Sequence, residues 1–258
     1  MNMSLTVLPI KSTLKKGEFD LFESLASDME NAGILPENGD VVVISSKYVA
    51  NSQDRIIDYD RVIPSFDAKK VGKRFQIKPS IAEIILRESD VLFGGIPGFV
   101  ITSSDNIMAP NAGIDKSNAQ KGTVILYPSE PYHTAEIIRR KFLLRYNAHL
   151  GIIIADSRLM PGRVGTVGIA IACSGIEPTS DLRGEKDLYG NPLKVTFQAI
   201  ADDLASIANM KMGEGSDTIP FVLIKKSGAK ITDRRIREGD MTISYEQCVY
   251  VRGLVTRM

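Results

Sequence analysis

The chain has 258 residues, 43% of them hydrophobic and 24% charged, and its 32 Lys and Arg nearly balance 31 Asp and Glu for a formal charge of +1. That length suits one or two domains with a core that needs no covalent staples. The composition excludes a disordered chain, and the near-zero charge supplies no net basic field to draw nucleic acid or an anionic membrane.

In chain order, Leu5 to Ile10 reads as a strand, and Phe19 to Asn31 carries a helical stripe of Leu21, Phe22, Leu25, Ala26 and Met29. Asn38-Gly39-Asp40 is a turn before the apolar strand Val41 to Ile44. Ser80 with Glu83 reads as a capping box opening a helix to about Arg87. Gly94 to Gly98 reads as a loop before the strand Phe99 to Thr102. A soft boundary falls near Pro128 to Pro131, and His133 to Tyr146 reads as a helix with a basic side of Arg139, Arg140, Lys141 and Arg145. That side reads better as a solvated face than as a phosphate site. Gly151 to Ala155 is a buried strand, Val195 to Met212 the longest helical pattern, and Pro220 to Ile224 a further strand. The alternation predicts mixed α and β elements around more than one sheet.

Two cysteines, Cys173 and Cys248, cannot build a thiolate-rich metal site, and His133 and His149 stand far from any HExxH spacing. The opening MNMSLTVLPIKS lacks a basic start and apolar run, and no stretch of 18 apolar residues occurs. The expectation is therefore a cytoplasmic protein with no membrane span. Its reactive groups are carboxylates, cations, hydroxyls and backbone amides.

Three stretches place an acid among small or hydroxyl-bearing residues: Asn111 to Asn118, Gly151 to Ser157, and Met212 to Asp217. In the second, the apolar strand is expected to end in Asp156-Ser157, where a rigid floor meets an open loop. In the third, Gly213 can cap the preceding helix in the left-handed region, while Gly215 after Glu214 leaves backbone free to approach a ligand. In the first, an Asx-turn explains Asp115 and Ser117 as well as a ligand would. Together Asp115, Asp156 and Glu214 make a set of hard oxygen donors suited to Mg²⁺ or Mn²⁺, ions that nucleotide phosphates usually complete. No GxxxxGK[ST] or GxGxxG loop is present, so a nucleotide site must be of another kind.

NAGIDKSN, the strand before Asp156, KDLYG within Gly184 to Gly190, and N-x-x-MGEG from Asn209 to Gly215 resemble the coenzyme F420-0:L-glutamate ligase family. The resemblance covers nearly the whole chain. It implies an α+β, intertwined two-subdomain fold assembled as a homodimer. The implied activity is GTP-dependent ligation of L-glutamate to the carboxylate of coenzyme F420-0, with further γ-linked addition. Two Mg²⁺ or Mn²⁺ ions and K⁺ are the implied cofactors. Asp115 and Asp156 would hold one divalent ion, and Ser157 and Glu214 the second. Asn118, Ser46, Lys47 and the loop Gly213, Glu214, Gly215, Ser216 and Asp217 would contact the nucleotide, with Ser12 to Lys15 a weaker match. Asp156, Lys47 and Arg163 are the implied catalytic groups, although Lys47 and Arg163 also read as ordinary surface cations.

Three departures from the family pattern stand out. Ala155-Asp156-Ser157 replaces Thr-Asp-Thr, which keeps a hydroxyl ligand; the Gly-Arg pair that follows is missing from Arg158 to Arg163; and Asn51 stands where a lysine is expected. These changes motivate two alternatives: a paralogous amide ligase with another acceptor, or a nucleotide- or deazaflavin-binding protein without turnover.

Overall fold

A computed structural model describes residues 4–15 and 17–255. The described residues form two compact units, one of residues 4–15, 19–49 and 130–241, the other of 17–18, 50–129 and 242–255. It enters the first unit through β1 (Thr6–Ile10), α1 (Leu21–Asn31), β2 (Val41–Ser45) and the start of α2 (Ser46–Ser52). The second unit follows with β3 (Ile56–Asp58), α3 (Phe66–Phe75), α4 (Pro79–Arg87), β4 (Val91–Ile96), β5 (Phe99–Ser104), β6 (Ile107–Pro110) and β7 (Thr123–Ile125). The chain returns to the first through α5 (Pro131–Tyr146), β8 (Gly151–Leu159), β9 (Thr166–Ser174), β10 (Ser180–Asp181), β11 (Phe197–Gln198), α6 (Ile200–Met212) and β12 (Phe221–Lys225). It closes in the second with α7 (Val249–Val255).

The first unit is built on a five-stranded sheet in the order β1-β12-β2-β8-β9, in which only β2 and β8 run parallel. Val41 to Ile44 and Ile152 to Ile154 are wholly buried. Strand alternation sends Val41, Val43 and Ile153 to the face covered by Ala201, Leu204, Ala205 and Ala208 of α6. The intervening residues face the other side, where α5 lies on β8 and β9 and Phe142 meets Phe22 of α1 edge-on at 5.1 Å. Burial on both faces is why these strands are apolar throughout rather than alternating.

The second unit has a three-stranded meander β4-β5-β6, the pair β3-β7, and a core of α3 and α4 against Val100 and Ala112. Its Asn111-Ala112-Gly113 turn has three successive positive φ values. Asn111 Oδ1 accepts from Val100 N at 3.0 Å, Thr102 Oγ1 accepts from Ala112 N at 2.9 Å, and a Cβ on Gly113 would fall 2.3 Å from the Tyr127 ring.

Several expected boundaries move. Gly94 to Ile96 belong to strand β4, because β5 pairs with them as Gly94↔Ile101, Gly95↔Val100 and Ile96↔Phe99. Ser80 is not the cap of α4: the helix starts at Pro79 after Lys78, and Ser80 is buried inside it. Glu83 instead accepts from Ser65 N at 2.8 Å and from Arg87. Helix α6 starts at Ile200 rather than Val195, since Phe197 and Gln198 pair with β10. The basic side of α5 is an ion-paired surface: Arg139 binds Glu136 and Asp233, Lys141 binds Asp20, and Arg145 binds Glu23 and Glu30.

Candidate functional site

The rim of the first unit's sheet is made by β2 and β8. Their parallel pairing stops at Ser45↔Ala155. The chain after β2 turns directly into α2 at Ser46, whereas β8 runs on to Leu159 because β9 still pairs with it. Asp156 and Ser157 therefore lie within a continuing strand, opposite Ile169 and Gly168, and not at its end as the sequence suggests. They nevertheless stand just beyond the last residue of β2, so the rim position survives while the hairpin supplies the rigidity.

Asp156 Oδ1 accepts from Ser46 Oγ at 3.0 Å, and Oδ2 lies 3.4 Å from the Arg158 guanidinium, itself only 7% exposed. Alternation turns Ser157 to the α6 side of the sheet. There Ser157 Oγ donates to Glu214 Oε2 at 3.3 Å, while Glu214 Oε1 accepts from Thr166 Oγ1 at 2.8 Å and Asn209 Nδ2 at 3.2 Å. The close seat of α6 depends on Gly168, where a Cβ would fall 2.3 Å from Ala205 O; Ser206 Oγ donates to Gly168 O at 2.7 Å. Asp202 of the same helix accepts from Ala170 N at 2.8 Å, and burial pushes its carboxyl above the usual range.

Gly213 ends α6 with φ 74° and ψ 174°, so its backbone is not the left-handed helical cap expected. The reason is the reversal that follows: a Cβ at Gly213 would fall 2.2 Å from Asp217 Oδ2. Gly215, Ser216 and Asp217 form an exposed loop that leads to Thr218. Thr218 O accepts from Ser12 N at 2.9 Å, and Ser12 Oγ bonds Tyr48 Oη at 2.9 Å. Tyr48 Oη also bonds Ser24 Oγ at 2.8 Å, and burial raises its pKa above the ordinary value. Ser12 is thus tied to Thr218, which follows the Gly213 to Asp217 loop, and to Tyr48, which follows Ser46 and Lys47 in α2. Arg163 stands in the exposed turn between β8 and β9.

Asp115 and Asn118 belong to the second unit. Asp115 accepts from Ser117 N at 2.6 Å and Ser117 Oγ at 2.8 Å, which is the Asx-turn that the sequence allowed. Asn118 sits in that exposed turn with φ 55°. Among the described residues no group of three or more His, Cys, Asp or Glu is arranged to hold a metal ion. What the rim offers instead is two small oxygen sets on opposite faces of β8: Asp156 with the Ser46 hydroxyl on one, and Glu214 with the Ser157 hydroxyl on the other. Each all-oxygen set fits a hard divalent cation and does not suit a soft one. Cys173 is buried away as a thiol pushed up to about 12 by desolvation.

Sequence reasoning did not single out Arg158 as a partner of Asp156, nor Thr166. Asn209 carried a signal, as the first residue of its motif. Thr166 carried none, because its contact exists only once β9 folds back on β8.

A mixed αβ chain with an oxygen-lined rim at its sheet defines the class. The family model described as F420-0:Gamma-glutamyl ligase matches residues 9–226, and the chain belongs to that family. A coenzyme F420:L-glutamate ligase of Methanopyrus kandleri is 36% identical over 219 residues, covering 84% of each chain. That of Methanocaldococcus jannaschii is 40% identical over 190 residues, covering 73% of this chain and 76% of its own. That of Archaeoglobus fulgidus is 34% identical over 225 residues, covering 86% and 88%. No helix of the described residues is long and apolar enough to cross a membrane.

Proposed function

We propose that this chain joins L-glutamate to the carboxylate of coenzyme F420-0, using GTP, two Mg²⁺ or Mn²⁺ ions and K⁺, and that it works as a homodimer. Within a family whose curated relatives carry the name coenzyme F420:L-glutamate ligase, one observation supports the chemistry. Asp156 is held by Ser46 Oγ, and its neighbour in β8, Ser157, holds Glu214 from a distant part of the chain.

A carboxylate cannot condense with an amine at neutral pH, because its oxygen is too poor a leaving group. In this reading an acceptor carboxylate oxygen attacks the γ-phosphorus of GTP. The bond to the bridging oxygen breaks and GDP departs, leaving an acyl phosphate. The glutamate amine then attacks the acyl carbon, the amide C–N bond forms, and phosphate leaves as the amine loses its proton. Divalent cations, when bound, neutralise charge on the phosphoryl oxygens. Asp156, Ser157 and Glu214 would hold them. Lys47 and Arg163 add fixed positive charge, and the loop Gly213 to Asp217 offers backbone amides to phosphate oxygens.

The test is one incubation with GTP, Mn²⁺, L-glutamate and F420-0, read by mass spectrometry. Glutamylated F420-0 together with GDP is the expected result, and neither product appearing refutes the reading. Asp156→Asn should abolish turnover with an unchanged melting curve. A second reading is a paralogue with another acceptor. It draws on Asn51, which stands at the family's lysine position with a buried Oδ1 that has no hydrogen-bond partner among the described residues. GDP release that depends on a different carboxylate would favour it.

A further inference from the structure

Glu214 differs from the other well-held carboxylates of the first unit. Glu136, Glu177 and Asp181 are each gripped by arginine. Glu214 is gripped by three neutral donors from three elements: Ser157 of β8, Thr166 of β9 and Asn209 of α6. It has no ion-pair partner among the described residues. Neutral donors orient a carboxylate and remove its rotamer freedom, yet leave its full formal charge to be met by something else. Both donors to Oε1 come from outside the residues expected to bind a cation, so Oε1 is pinned and Oε2 is left beside Ser157 Oγ.

We infer that Thr166 and Asn209 are positioning residues that pin Oε1 of Glu214, so that its charge and the Ser157 hydroxyl are presented together to a divalent cation. This rests on the cation reading proposed above. Removing the Thr166 hydroxyl frees Glu214 to rotate, and the cation must then bear the cost of ordering it. Thr166 is exposed and keeps its β-branched shape as valine, so the strand should tolerate the change.

The experiment titrates the full-length protein with Mn²⁺ alone and follows free Mn²⁺ by electron paramagnetic resonance, with thermal melts run in parallel. Thr166→Val should raise the Mn²⁺ Kd by about tenfold, Asn209→Ala should do so by a similar factor, and Thr166→Ser should stay within about twofold of the parent. The melts of Thr166→Val and the parent should coincide. In turnover, saturating Mn²⁺ should restore most of the kcat of Thr166→Val. Parent-like Mn²⁺ affinity in Thr166→Val, or a Thr166→Ser variant as weak as Thr166→Val, overturns the positioning role alone. If Thr166→Val fails to fold, Asn209→Ala decides by the same Kd criterion. A folded parent chain that binds no Mn²⁺ overturns the cation reading and this inference with it.

Discussion

Tyr48 shows how a single buried hydroxyl organises the rim. Its Oη meets Ser12 Oγ and Ser24 Oγ, and Ser12 is tied in turn to Thr218. Tyr48→Phe keeps the ring but strands the Ser24 hydroxyl and leaves Ser12 Oγ only its 3.3 Å bond to Thr13 O, both serines being less than a tenth exposed. Leaving buried donors unsatisfied costs about 1–3 kcal/mol, which urea denaturation should register. Because the Ser12 loop loses its anchor, the KM for GTP should rise more than kcat falls. A KM unchanged by the substitution would separate that loop from nucleotide binding. Asp156 and Glu214 could be read from the sequence as unusual acids, because their neighbours were small or hydroxylated. Their partners could not, since Ser46 and Thr166 reach them only through strand pairing.

At the scale of elements, the sheet and α6 act as one support. Gly168 is the close-approach point: Gly168→Ala places a methyl 2.3 Å from Ala205 O. The helix must then move away from β9, at about 1–3 kcal/mol, and Asn209 moves with it. The expected outcome is a lower melting temperature together with reduced activity. Activity held at the parent level would show that the Glu214 cluster tolerates the shift. Ile153 lies in the buried centre of β8. Ile153→Lys should destabilise by at least about 4 kcal/mol, because it would put a charge into the apolar cluster between the sheet and α6. An unchanged denaturation midpoint would contradict its place in the core. The buried strands were plain in sequence from their unbroken apolar runs, whereas the extension of β8 past Ala155 was not. Asp, Ser and Arg are poor strand formers, and only the β9 ladder keeps them extended.

At the scale of the whole molecule, charge is balanced locally as well as in sum. The Glu136 carboxyl is held at about 2 by the Arg139 guanidinium, with Ser174 and Arg140 adding hydrogen bonds, against an ordinary value of 4.5. A carboxyl depressed in the folded state stabilises fully above its unfolded pKa and loses that contribution as pH falls through its folded value. Stability should therefore fall between about pH 4.5 and pH 2. Glu136→Gln should be less stable at neutral pH, with the gap to the parent closing across that window in acid denaturation. A constant gap would remove Glu136 from the acid response. The α5 arginines that look in sequence like a phosphate-binding face are spent on this balance.

The sequence alone determined the family, the mixed αβ class, the buried strands and the acids worth watching, because these depend on residue type and on short spacings. Tertiary structure decided which side chains those acids meet. Ser46 lies 110 positions from Asp156, and Ser157 and Thr166 lie 57 and 48 from Glu214. Only a parallel strand pair, a returning hairpin and a glycine-seated helix bring them within hydrogen-bonding distance.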